Sequence, residues 1–127
     1  MAKRRIINTR FWSDNYIANL DPSEKLLFLY FLTNPYTNIS GAYEISIKQI
    51  ALDTGFDKDM VEKMIKRFKK DDKVFYIDGY IVVKNFIKHQ EKNPKVKIGI
   101  ENEAKNLPED IKNIVYDSLS YLNSNSN

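Results

Sequence analysis

Apolar positions recur along this chain with two periods, and each change of period marks an element. Residues 11–20 carry Trp12, Tyr16, Ile17 and Leu20 at helical spacing and predict a short helix. Asp21-Pro22-Ser23-Glu24 follows. Asp21 suits a helix cap, Pro22 the first helical position, and Glu24 puts negative charge in the first turn. The helix so opened is apolar nearly all round over 26–32, which marks it as the central buried helix. It stops near Asn34-Pro35, because the residue before a proline disfavours helix. Residues 39–45 read as a short strand. Ser46-Ile47-Lys48-Gln49 fits a capping box, and Ile47, Ile50 and Ala51 give the short helix behind it one apolar face. Thr54-Gly55-Phe56 breaks that helix, with Gly55 suited to the left-handed turn position. Asp57 then caps a further helix over 58–70.

At 100° per residue, Val61, Met64, Ile65 and Phe68 of this last helix fall on one tight stripe. Lys66, Asp59, Lys70 and Lys63 lie opposite it, at roughly 140° to 200° from Val61, and Arg67 at about 240°. The outward face is therefore mostly cationic. The period then drops to two. Val74-Phe75-Tyr76-Ile77 and Tyr80-Ile81-Val82-Val83 are strands joined by Asp78-Gly79, a turn favouring type I′. That turn sets Ile77 opposite Tyr80 and Phe75 opposite Val82. A lone hairpin is marginal, so a third strand, 39–45, is expected to join it. Asn93-Pro94 opens a helix through about Lys105. Leu107-Pro108-Glu109-Asp110 opens the last, with Ile111, Ile114 or Val115, Leu119 and Leu122 as its buried stripe.

Helix, strand, helix, turn, helix, hairpin is the order of a winged helix-turn-helix. The fold class expected is α+β, mostly helical: a winged helix-turn-helix with a small antiparallel sheet and a C-terminal helical extension. Residues 1–122 form the domain. The polar residues 123–127 read as a flexible tail or the start of a linker.

Charge strengthens this picture through its distribution. The net charge is only +3, but residues 1–20 carry four Lys/Arg against Asp14, and residues 74–97 carry five Lys against Asp78 and Glu91. A domain polarised in this way can meet a polyanion with one face. In a helix-turn-helix the helix over 58–70 would enter the major groove. Lys63, Lys66, Arg67 and Lys70 would neutralise phosphates. Lys58, Asp59 and Glu62, near the helix start, are the base-reading candidates, with Lys63 shared between roles. The alternative is a solvated face held by Asp59–Lys63 and Glu62–Lys66 pairs. The hairpin tip carries no cation; Tyr80 either contacts a backbone or pairs within the sheet. Lys84 and Lys88 follow the hairpin and are better cationic candidates. Lys3, Arg4 and Arg5 form either an arm toward the duplex or a frayed terminus.

Other chemistry is poorly supported. The chain has no cysteine and one histidine, His89, which excludes disulfides, thiolate zinc sites and multi-histidine metal sites. No cofactor is expected. The glycines at 41, 55, 79 and 99 are too scattered for a phosphate-cradling loop. Asp71-Asp72 reads as a helix-end acidic pair and His89 as a surface or capping histidine, so no enzyme activity is expected. Trp12, Phe28, Phe31, Phe68 and Phe86 sit at core spacing, the alternative being a base-stacking platform for single strands. No apolar run spans a membrane and no signal peptide opens the chain, so a cytoplasmic location, the cytoplasm of a bacterial host, is expected.

Several segments bring a resemblance. Arg10-Phe11-Trp12-Ser13-Asp14, Leu20-Asp21-Pro22-Ser23-Glu24-Lys25-Leu26-Leu27-Phe28, and Thr37-Asn38-Ile39-Ser40-Gly41-Ala42-Tyr43-Glu44 are similar to the N-terminal domain of phage replisome organisers, relatives of DnaD-like primosomal proteins. So are Val83-Lys84-Asn85-Phe86-Ile87-Lys88-His89-Gln90 and Asn93-Pro94-Lys95, the most specific part. The likeness covers roughly residues 6–115. It implies binding of double-stranded phage origin DNA and a part in replication initiation, with host or phage helicase-loading proteins as partners. Such proteins usually continue into a second domain. A transcriptional regulator of the same fold and a primosomal protein-interaction adaptor are the rival functions. An edge strand further suggests a weak homodimer.

Overall fold

In a computed structural model, which describes residues 3–86 and 94–124, Asp78 and Gly79 both hold positive φ, 50° and 83°. That pair of left-handed conformations is what a type I′ turn requires. Strands β2 (Val74–Ile77) and β3 (Tyr80–Val83) accordingly pair with Ile77 opposite Tyr80 and Phe75 opposite Val82. Strand β1 (Ala42–Glu44) joins the other side of β3, antiparallel, giving the order β1-β3-β2. It is shorter than the expected 39–45. Gly41 takes φ 84° and closes a turn by donating from its N–H to the Asn38 carbonyl, so pairing starts only at Ala42.

The helices fall where the caps place them. Helix α2 (Pro22–Thr33) has Pro22 in its first turn, and Glu24 Oε1 accepts from the Asp21 backbone N–H at 2.8 Å. Helix α3 (Ile47–Thr54) starts at Ser46, whose hydroxyl accepts from Gln49 N at 3.0 Å, and ends at Gly55 with φ 83°. Only half of the expected capping box forms there: the Gln49 side chain turns forward and donates to Asp53 Oδ1. Helix α4 (Lys58–Lys70) is capped by Asp57, whose carboxylate accepts from Met60 N at 2.8 Å. Helices α5 (Pro94–Ala104) and α6 (Glu109–Ser124) are the last elements of the described residues, and α6 takes in the first two positions of the expected tail, Asn123 and Ser124. The described part is thus α+β and mostly helical, with one small antiparallel sheet.

The expected helix over 11–20 is split in two. A 3₁₀ turn, Thr9–Ser13, is followed by the single-turn helix α1, Asn15–Ala18. Asp14 divides them: its backbone is extended, and its carboxylate caps α1 by accepting from Tyr16 N and Ile17 N. A short acidic side chain that can bond its own following N–H groups favours such a break. Phe11 takes the inward direction, and Trp12, one third of a 3₁₀ turn further on, is 59% exposed. Trp12 therefore leaves the core in which the sequence placed it; its ring stands edge-on to Phe11, centroids 5.0 Å apart. Phe28, Phe31, Phe68 and Phe86 are buried as expected.

The sheet is covered on both faces. Tyr43, Ile81, Val83 and Val74 point into a core with Leu27, Phe28 and Phe31 of α2, Ile50 of α3 and the Val61, Met64, Ile65, Phe68 stripe of α4. Ala42 and Val82 point the other way, into a second cluster with Ile100 and Ala104 of α5 and Ile111, Val115 and Leu119 of α6. Of the α6 alternatives, Val115 is buried and Ile114 only partly so; the Leu122 side chain lies outside the described residues. No helix of the described residues is long and apolar enough to cross a membrane.

Candidate nucleic-acid interface

Helix α4 packs on β2 and α3 through its apolar stripe, which fixes the direction of the opposite face. Thirteen residues at about 1.5 Å each give a rod of about 20 Å. Lys58, Asp59, Glu62, Lys63, Lys66 and Lys70 are all exposed on it. Lys63, Lys66 and Lys70 recur at spacings of three and four and so line one face, spread over about 10 Å of the axis. The Asp59–Lys63 and Glu62–Lys66 pairs that would make this an ordinary solvated face do not form: no ion pair among the described residues includes any of the four. Lys69 and Lys70 in the last turn complement the helix dipole. Lys63 and Lys66 sit mid-helix, where the dipole offers a cation nothing, and neither has an ion-pair partner among the described residues.

Arg67 behaves differently from its neighbours. Sequence angles put it on the flank of the cationic face, and α2 lies along that flank. The Arg67 guanidinium donates through Nη1 to Glu24 Oε1 at 2.5 Å and stands 3.7 Å from Asp71. The Glu24 side chain is only 9% exposed, so its carboxylate needs this counter-charge. The bond to Glu24 holds the guanidinium more firmly protonated than an ordinary arginine. Tyr16 extends the same cluster by donating its hydroxyl to Asp71 Oδ2 at 2.7 Å. Burial and that hydrogen bond push its pKa up, and Lys73 lies over its ring, 4.8 Å from the centroid. Arg67 is thus engaged in fastening α4 to α2, not free on the phosphate-facing side.

Three further candidates are also engaged. Lys84 pairs with Asp72, which turns left-handed just after α4 and swings its carboxylate toward the strand end. Lys3 donates to the Thr37 carbonyl at 3.0 Å. Arg5 donates to the Thr37 hydroxyl and carbonyl, both at 2.7 Å. The N-terminus therefore runs back along the loop after α2, and only Arg4 of the basic trio is exposed without such a bond. Lys88 and His89 lie outside the described residues. Among the exposed lysines that helical angles and charge clustering did not single out are Lys69, whose helical angle falls between the two faces, and Lys48 on α3. Neither has an ion-pair partner among the described residues.

The hairpin beside α4 ends in the exposed Asp78 and has no cation at its tip. Tyr80 packs against the second cluster, which favours the within-sheet alternative for it. No group of histidine, cysteine or carboxylate side chains among the described residues could hold a metal ion. Comparison with family models, with curated proteins and with solved structures finds no match.

Proposed function

We propose that this chain is a winged helix-turn-helix domain that binds double-stranded DNA through α4, and that it serves in phage replication initiation. The element order supports the fold: α2, β1, α3, α4 and the β2–β3 hairpin follow in the required sequence, and α3 and α4 are joined by a short turn through Gly55. One observation carries the DNA reading. The outward face of α4 bears mid-helix lysines, Lys63 and Lys66, that form no ion pair among the described residues, while Arg67, Lys84, Lys3 and Arg5 have partners within the chain. Free ammonium groups along one helix face suit a ligand with closely spaced negative charge, and duplex DNA carries one phosphate per about 3.4 Å of each strand. The role in replication rests on the resemblance of segments 10–14, 20–28, 37–44 and 83–95 to replisome organisers.

A second reading is favoured by a different feature. The exposed Trp12 and the acidic hairpin tip suit a protein-interaction adaptor. Fluorescence anisotropy against duplex and single-stranded DNA at several salt concentrations separates the two. Duplex binding at low salt is expected, with log affinity falling steeply against log salt, by about 0.9 for each phosphate neutralised. No duplex binding at low salt, together with binding to a primosomal partner, would move the adaptor ahead. Preference for promoter over origin fragments would favour a transcriptional regulator.

A further inference from the structure

We propose that the chain grips duplex DNA through α4 by its phosphates and reads little of the base sequence. The inference deepens the duplex-binding reading and rests on it. Base edges in the major groove are read most selectively by forked or planar groups, arginine on guanine and asparagine or glutamine on adenine; lysine on guanine and a carboxylate on cytosine N4 are less directional contacts. Helix α4 has no Asn, Gln, Ser or Thr along its length. Its one guanidinium, Arg67, is held by Glu24 and Asp71. Turning it outward would strand the Glu24 carboxylate, nearly buried at the start of α2, with only the Asp21 N–H. Apart from Met60, the remaining exposed side chains of α4 are lysines and two carboxylates, Asp59 and Glu62.

Those groups suit a phosphate face. A lysine ammonium is a strongly hydrated point charge on a flexible stem and meets a phosphate without a set geometry. Asp59 and Glu62 sit toward the helix start, the end that a reading helix presents to the bases. Each would repel the flanking phosphates, and neither offers the two-point contact that fixes a base. The hairpin tip adds an aspartate, and the outer face of the hairpin is covered by α5 and α6. The ligand class is therefore the duplex backbone, recognised by charge.

The test uses the whole chain. A duplex library with a randomised core is put through repeated selection at low salt and sequenced. Two unrelated duplexes of equal length are then titrated by anisotropy. The expected result is no enriched consensus and affinities within about threefold of each other. Lys66→Ala should weaken both duplexes equally and flatten both salt slopes by about one unit. Arg67→Lys, which keeps the charge beside Glu24, should leave affinity and slope as in the parent. A consensus bound more than tenfold tighter than random duplex, or an Arg67→Lys variant that loses affinity with a flattened slope, overturns the proposal and leaves DNA binding standing. Failure to bind any duplex at low salt overturns both.

Discussion

Tyr43→Phe removes one oxygen from the interface between the central helix and the sheet, and its effect can be worked from the hydrogen bonds. The Tyr43 side chain is buried; its hydroxyl donates to the Phe31 carbonyl at 2.8 Å and accepts from Asn34 Nδ2 at 2.9 Å. Phe31 lies in the last turn of α2, where its carbonyl would look for the N–H four residues on. That residue is Pro35, which has none. The preceding carbonyl, of Tyr30, takes the N–H of Asn34. Tyr43 therefore satisfies, from the strand, a helix-end acceptor that the helix cannot satisfy itself. Asn34 Nδ2 keeps its second acceptor, the Tyr30 carbonyl at 3.0 Å, so its loss is partial. One buried acceptor left unpaired sets the magnitude: about 2 kcal/mol of stability, a fall of roughly 6–12 °C in Tm for a chain of this size. Thermal and urea melts followed by circular dichroism measure it. A pH series adds a sign. Burial raises the Tyr43 pKa above the ordinary 10.0, with the Asn34 bond opposing. The protonated hydroxyl contributes fully below pH 10 and progressively less above it, as the unfolded chain ionises. The phenylalanine variant has nothing to titrate there, so the gap between parent and variant should narrow above pH 10, by at most about 1.4 kcal/mol per pH unit. A variant that melts within about 0.5 kcal/mol of the parent at neutral pH would refute the cap.

The lysine face makes the next prediction. Lys63→Glu combined with Lys66→Glu should weaken duplex binding by on the order of tenfold or more and flatten the salt slope, with stability nearly unchanged. Unaltered anisotropy titrations from a folded double variant would remove α4 from the interface. Val61 is completely buried, and Val61→Asp should unfold the chain by stranding a charge inside the apolar cluster beneath α4, seen as loss of the cooperative melt. The two packed glycines should differ. At Gly41, φ is 84° and an added Cβ would lie 2.5 Å from Phe86 Cβ and 2.9 Å from the Val83 carbonyl, so Gly41→Ala should cost about 2–4 kcal/mol. At Gly99 the Cβ would meet only the end of the Ile39 side chain, and the helix gains propensity, so Gly99→Ala should stay within about 1 kcal/mol. Paired urea melts decide this, and equal losses at the two sites would contradict the geometry.

Local chemistry was enough to write much of this protein from its residue order. The Asp78-Gly79 turn, the left-handed Gly55, the Asp57 cap and the α4 bounds all follow from interactions within a few residues, which the chain carries wherever it folds. The Val61, Met64, Ile65 and Phe68 stripe follows from helical periodicity, and so does the outward direction of Lys63, Lys66 and Lys70. Periodicity says which side of a helix faces away from its own apolar stripe; it does not say which neighbour lies along the flank. Arg67 has the angle of a phosphate contact, and only the approach of α2 with its nearly buried Glu24 gives its guanidinium an internal partner. Lys84, Lys3 and Arg5 likewise take partners 12 to 34 residues distant in the chain, which their own neighbours in sequence do not announce. Trp12 failed because Asp14 chose to cap the following helix, which put Trp12 in a 3₁₀ turn and left Phe11 as the inward ring. The second layer was also a tertiary matter. Ala42 and Val82 alternate with Tyr43 and Ile81 on a sheet that sequence alone would leave open on one side, and it is the docking of α5 and α6 that closes it. Contacts between segments far apart in sequence decide these cases because the energy lies in a specific meeting of two surfaces, and neither surface by itself encodes the other's position.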